Sequence, residues 1–212
     1  MDLNEKISIG VCSPGVWHSL FATSIIDIAR SQSQLGQLIS LEGSGVISRL
    51  RNQVVATFLE KTKDDWLLQI DTDQIIKVDA FKKLIAAADK DKRPIVSGIV
   101  HAAWETKHVY PEPVPCIFKA GEDGLFAVHE YPDDSIIEID AAGTGCIIVH
   151  RSVFEKMRDN GDKVNEGDMW CFYRDMPING SWVGEDIFWS LDRKSTRLNS
   201  SHVSESRMPS SA

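Results

Sequence analysis

From position 6 to 13 the chain alternates, with Ile7, Ile9 and Val11 on one side, and then meets Pro14-Gly15. Alternation closed by a turn pair predicts a first strand ending in a loop. Over 16–31 the period changes: Trp17, Leu20, Phe21, Ser24, Ile25, Ile28 and Ala29 recur every three or four residues, which predicts a helix with one apolar face. A short strand follows at 37–42. Gly43-Ser44-Gly45 then leads into a helix with Ile47, Leu50, Val54 and Phe58 on one stripe and Arg49, Asn52 and Gln53 on the other face. WLLQID at 66–71 is a nearly continuous apolar run, as expected of a strand covered on both faces.

A helix over about 78–89 and a buried strand at 94–100 continue the alternation, which predicts a mostly parallel sheet with right-handed crossovers. The pattern then changes character. YPEPVPC is proline-rich, and the segments near 117–118, 126–131 and 136–142 read as short strands between turns, an antiparallel excursion. CIIVH at 146–150 is again a buried strand, and Ser152 with Glu155 three residues on predicts the capped start of a helix. The chain then reads as loop through Gly184-Glu185-Asp186, where a last helix begins.

At 212 residues with 42% hydrophobic and 25% charged content, the composition is that of a globular domain with one sizeable core. The final twenty residues, RKSTRLNSSHVSESRMPSSA, break the pattern: they hold seven serines, four basic residues and one acid, with no periodicity. This segment, 193–212, resembles adapter or vector sequence read in frame and is expected to be non-native or disordered. It stands apart from a domain at 1–192 whose last helix it interrupts. The net charge is −8, and removing the tail's four bases and one acid makes it −11, which disfavours general nucleic-acid binding. Cys12, Cys116, Cys146 and Cys171 have no CxxC spacing, and no apolar run suits a signal peptide or membrane span; a reduced, cytoplasmic protein is expected.

The chemistry concentrates at Asp71-Thr72-Asp73, which closes the apolar run. In open α/β sheets ligands bind outside the carboxyl ends of the strands, and residues i and i+2 of an extended chain point the same way. Two carboxylates so placed can hold Mn²⁺ or Mg²⁺, and that cation can bridge a nucleotide diphosphate. Asp is also common in solvated turns after strands, so a bare DxD admits either reading.

In order along the chain, IGVCSPG, the helix SRLRNQVVATFL, the strand into Asp71-Thr72-Asp73, AAGTGCIIVHRSVFEKM and Gly184-Glu185-Asp186 resemble the nucleotide-sugar glycosyltransferases of GT-A fold, especially short inverting ones from bacteriophage and metagenomic sequence. The resemblance covers about 5–192 and implies a three-layer α/β/α Rossmann-like sandwich with a small antiparallel excursion. It implies a sugar moved, with inversion, from a nucleotide-diphosphate sugar to a glycan, protein or modified-base hydroxyl. Ser13 and Pro14 would touch the nucleotide. Glu42, where many relatives have Asp, would reach the base or ribose. Asp73 would bind the metal, with Asp71 on the ribose or the metal shell. Arg49, Arg51 and Asn52 would approach the diphosphate or organise the DxD loop; without the resemblance they read as a solvent-facing helix surface.

Gly143-Thr144-Gly145 would admit a sugar close to the backbone, and equally fits a bulge entering a strand. Asp186, beside Glu185, would take the acceptor proton, although acids at a helix start are also plain caps. Trp182 would stack on an acceptor sugar or simply pack. His101, His108 and His150 lack metal-ligand spacing. Relatives supply a further metal-ligating histidine beyond the acidic-pair helix, where this chain has its foreign-looking tail, so weak or absent activity is expected. Two other functions remain: a non-catalytic nucleotide-sugar-binding or structural phage protein, and a sugar nucleotidyltransferase, although CSPGVWHS is not the glycine-rich basic loop expected of the latter. A dehalogenase-type phosphatase is set aside because two strands precede the DxD and Ile75 stands where Thr or Val is wanted.

Overall fold

A computed structural model describes residues 4–43, 45–104, 112–122, 124–159, 170–178, 180–195 and 201–203. The elements run β1 (Ile7–Ser13), α1 (Ser19–Ser31), β2 (Leu35–Glu42), α2 (Ile47–Lys61), β3 (Trp66–Ile70), α3 (Val78–Ala87) and β4 (Ile95–Gly98). The excursion follows as β5 (His101–Trp104), β6 (Glu112–Pro115), β7 (Ile117–Gly121), β8 (Gly124–Ala127), β9 (Ile136–Glu138) and β10 (Ala141–Ala142). Then come β11 (Cys146–His150), α4 (Arg151–Asp159), β12 (Met176–Ile178), β13 (Ser181–Val183), α5 (Glu185–Ser195) and β14 (Ser201–Val203).

The molecule is mixed α/β, with a seven-stranded central sheet in the order β2-β1-β3-β11-β4-β14-β9. Alternation along β1 and β3 sends side chains to two apolar clusters. Ile7, Ile9, Val11, Trp66, Leu68 and Ile70 pack with α1 (Phe21, Ile25, Ile28) and α3 (Phe81, Leu84, Ile85). On the other face Leu67 joins Val54, Val55 and Phe58 of α2, Val153, Phe154 and Met157 of α4, and Trp189 of α5. Helices therefore cover both faces, which is why β3 reads as a continuous apolar run.

The sheet is mixed where a mostly parallel one was expected, with three parallel and three antiparallel neighbour pairs. β2, β1, β3, β4 and β14 run one way, and β11 and β9 the other. The chain reaches β11 through the excursion, not through a single crossover helix, and β11 enters between β3 and β4 from the opposite end. Buried apolarity marks a central strand without carrying its direction.

Two helix starts also differ. α1 begins at Ser19, after the bend at Pro14-Gly15 (Gly15 φ +107) and an extended His18, whose Nδ1 accepts from the Leu20 N–H at 3.3 Å as the cap. α4 begins at Arg151, so Ser152 lies inside it; His150 Nδ1 accepts from the Ser152 N–H at 3.3 Å. Arg151 fastens the end of α2, donating to the carbonyls of Phe58 and Thr62 at 3.2 Å and lying 4.3 Å over the Phe58 ring. Within 193–212, residues 193–195 continue α5 and 201–203 form β14 between β4 and β9. Short as it is, that strand satisfies backbone groups along the edge of β4.

Candidate functional site

The reversed direction of β11 builds the site. Because β11 starts where β3 ends, Gly143-Thr144-Gly145 arrives beside Asp71, whose N–H donates to the Gly145 carbonyl at 3.0 Å. A Cβ on Gly145 would lie 3.3 Å from Asp71 Oδ2, and one on Gly143 would lie 3.1 Å from the Cys116 Cβ and 3.6 Å from Asp186 Oδ2. Gly145 is thus where the Asp71 carboxylate closely approaches the backbone, and Gly143 is where Cys116 does. Asp186 comes from the first turn of α5, which is docked on β10 by hydrogen bonds between Ser190 Oγ and Ala142. Three segments remote in sequence therefore share the carboxyl edge of the sheet.

Arg51 lies at their centre. It sits on α2 only 5% exposed, and its guanidinium donates from Nη2 to Asp71 Oδ1 and Oδ2 at 2.9 and 3.1 Å. Nε donates to Glu185 Oε1 at 3.2 Å, and Nη1 to the Thr144 carbonyl at 3.5 Å. The helix surface reading of Arg51 is therefore wrong. Position 51 is four residues after Ile47 and three before Val54, so helical geometry puts it on the buried stripe.

Acids outnumber the base here, and the titration behaviour follows. Burial, then the neighbouring Glu185, push the Asp186 carboxyl up to about 6, although the Ile187 N–H at 2.7 Å and Arg51 favour its charged form. Burial also raises Asp71, with Arg51 opposing and Asp73 adding to the rise. The Cys12 thiol is pushed up to about 11, chiefly by burial, and feels Arg51, Asp71 and Glu185. Cys12 was missed, yet the alternation of β1 held the signal: with Ile9 and Val11 on the α1 face, Cys12 must face α2. Cys116, beside Gly143, had no such signal, because the register of the excursion cannot be read from its turns.

Several other expected site residues lie elsewhere or are occupied. Asn52 does not approach the DxD loop; its Oδ1 accepts from the Phe172 and Tyr173 N–H groups at 2.7 Å and its Nδ2 donates to the Tyr173 carbonyl at 2.8 Å. Arg49 is exposed; two residues before Arg51, it lies about 200° round the helix and points away from the site. Ser13 is buried, its Oγ accepting from the Gly15 N–H at 3.1 Å, while Pro14 is exposed. Glu42 pairs in register with Ser13, and a Cβ on Gly15 would sit 2.8 Å from its Oε1, so these residues share one corner of the carboxyl edge. Trp182 is 77% exposed on the β12–β13 hairpin that leads into α5.

Asp73 is exposed, with a contact from Gln74 Nε2 at 3.1 Å. Among the described residues no group of three or more His, Cys, Asp or Glu side chains is set to hold a metal. The donor set is Asp73 with the unshared lone pairs of Asp71, which fits a hard cation that keeps waters and takes substrate oxygens as its other ligands. His101 contacts the Tyr131 hydroxyl at 3.4 Å, and His150 caps α4 and meets Trp66 edge-on at 4.8 Å. His108 lies outside the described residues. A groove of about 340 Å³ between α1 and 75–78, lined by Leu20, Asp27, Ile75 and Lys77 among others, contains none of these carboxylates.

No family model matches the chain, and no curated protein matches it. Among solved structures, A197 from STIV aligns with a TM-score of 0.57 at 16% identity, over 95% of this chain and 82% of that one, so the two share a fold. 4-Diphosphocytidyl-2C-methyl-D-erythritol synthase from Anaerococcus prevotii DSM 20548 aligns at 12% identity with a TM-score of 0.40, over 77% and 81% of the two chains, too distant to carry an argument. Among the described residues no helix is long and apolar enough to cross a membrane.

Proposed function

We propose that this chain is a metal-dependent glycosyltransferase with a three-layer GT-A-like fold, moving a sugar with inversion from a nucleotide-diphosphate sugar to an acceptor hydroxyl. The observation that carries this reading is the convergence of Asp71, Gly143-Thr144-Gly145 and Asp186 at one edge, with Asp186 titrating near neutrality. A base works best when its pKa lies near the operating pH. Asp186 is raised toward that range.

In this reading Asp73 and Asp71 would hold Mn²⁺ or Mg²⁺, which would supply charge neutralisation to a departing diphosphate. Asp186 accepts the acceptor's hydroxyl proton as that oxygen bonds to the anomeric carbon and the bond from that carbon to the diphosphate breaks. Gly143-Thr144-Gly145 line the sugar side of the site through their backbone, Trp182 offers its exposed indole to an acceptor ring, and Ser13, Pro14 and Glu42 border the nucleoside.

The test incubates the protein with Mn²⁺ and a panel of nucleotide-diphosphate sugars, following melting temperature and free nucleoside diphosphate together. A transferase gains stability with its donor and releases nucleoside diphosphate, to water when no acceptor is present. Pyrophosphate released from a nucleoside triphosphate and a sugar phosphate would replace this reading with nucleotidyl transfer. Stabilisation without release of either would leave a binding protein.

A further inference from the structure

We propose that Arg51 is a positioning residue, not a phosphate ligand: it locks Asp71, Glu185 and the Thr144 carbonyl into one frame and leaves Asp186 outside its ion pairs. The proposal rests on the reading of Asp186 as the base and explains how that carboxyl is singled out. All three guanidinium nitrogens are directed at protein oxygens: Nη2 at Asp71, Nε at Glu185 and Nη1 at Thr144. A planar fork can hold three partners in fixed directions, which a lysine ammonium on a flexible stem cannot. Those partners belong to the turn after β3, to the loop entering β11 and to α5, so one side chain on α2 ties these three segments together.

Charge completes the case. A buried guanidinium is stable only when paired, and two carboxylates meet this one, so the trio already carries a net negative charge. Ionising Asp186 adds another beside it. The charged and titratable groups that act on Asp186 are Glu185 on its own helix, Arg51 from α2 and Cys116 from the β6–β7 junction; Gly143 opposite brings none. Burial and Glu185 raise Asp186 to about 6, outweighing Arg51, which acts in the opposite direction.

The test follows the Asp186 carboxyl by ¹³C NMR across pH in the wild type, Arg51→Lys and Glu185→Gln, and measures binding of UDP, GDP, ADP or CDP, with and without Mn²⁺, by calorimetry. Arg51→Lys cannot hold both acids, so Glu185 is left uncompensated and the Asp186 midpoint rises by at least about half a pH unit. Glu185→Gln keeps Arg51 and lowers the midpoint by a similar amount, and it decides the matter alone if Arg51→Lys does not fold. Affinity for the nucleotide measured without Mn²⁺, which does not pass through Asp71, changes less than about threefold in Arg51→Lys. An unmoved Asp186 midpoint in either folded variant overturns the proposal, as does a tenfold loss of nucleotide affinity with Asp186 unmoved, the mark of a phosphate ligand. These readouts need no turnover. A protein that transfers no sugar but shows the opposite shifts keeps the positioning role and loses the assignment of the reaction.

Discussion

Strand β3 has acids at both ends, and the two ends behave differently. Before it, Asp64 Oδ2 accepts from Ser8 Oγ at 2.6 Å and from the Gln37 N–H at 3.1 Å, and Asp65 Oδ2 accepts from the Lys6 N–H at 2.9 Å. Gly36 is packed so closely on Asp64 that a Cβ there would overlap its carboxylate. After β3, Asp71 shares one arginine with Glu185, Asp73 faces solvent, and Asp186 is raised toward neutrality. Acids at the amino end are satisfied by backbone and hydroxyl donors and close the fold. At the carboxyl end acids gather faster than donors do, which concentrates negative charge where a cation or a proton is handled.

The sharpest way to break that comparison is Asp186→Asn. Loss of the base is expected to reduce transfer by about a hundredfold or more while donor binding stays within about twofold. Stability should move the other way. The folded carboxyl sits at about 6 against an ordinary 3.8, so the unfolded chain gives up its proton first and the native state is penalised as pH rises. That penalty is absent below about pH 4, grows between pH 4 and 6, and is complete above pH 6. Asparagine removes it, so the variant should be more stable by up to roughly 3 kcal/mol at pH 8 and about equal at pH 4 in urea denaturation. A variant destabilised at pH 8 would mean that Asp186 is a structural carboxylate of the Asp64 kind.

Asp64→Ala tests the other end. It leaves the Ser8 hydroxyl and the Gln37 N–H without their acceptor, and a loss of about 2 kcal/mol in chemical denaturation is expected, with nucleotide binding unchanged. Asp73→Asn should do the reverse: stability within about 0.5 kcal/mol, because the side chain is exposed, and Mn²⁺-dependent nucleotide affinity down by about tenfold or more. Unchanged affinity in titration calorimetry would remove Asp73 from the cation site.

The sequence made one half of this comparison legible. The apolar run of β3, the stripes of α1, α2 and α3, and the acids at 71, 73, 185 and 186 were readable because each rests on local period or residue type. What joins them was less so. The reversal of β11 that brings Gly143 and Gly145 to Asp71 has no signature in CIIVH. Asn52 and Arg51 are neighbours in sequence but about 100° apart on α2, so one ties down 172–173 and the other enters the acidic cluster. Their fates could have been separated from helical phase alone, and the parity of β1 likewise exposes Cys12. Asp64 and Asp65 read no differently from Asp71 and Asp73, because hydrogen-bond partners remote in sequence decide which acids are spent.

The finest distinction falls on Thr144. It is 1% exposed, and its buried Oγ1 has no hydrogen-bond partner among the described residues, whereas its carbonyl is the one that meets Arg51. A buried hydroxyl without a partner forfeits its hydration for nothing, so an isosteric methyl in its place should be neutral or stabilising. Thr144→Val is therefore expected to change unfolding free energy by no more than about 1 kcal/mol, in the stabilising direction. It should also leave the Asp186 midpoint in place, since the backbone contact to Arg51 survives. A clear destabilisation would show that the hydroxyl bonds a group inside the site, a water or part of a ligand. Thr144 would then belong with the acids of the carboxyl end, in contact with what that end binds, and would no longer be a filler between two glycines.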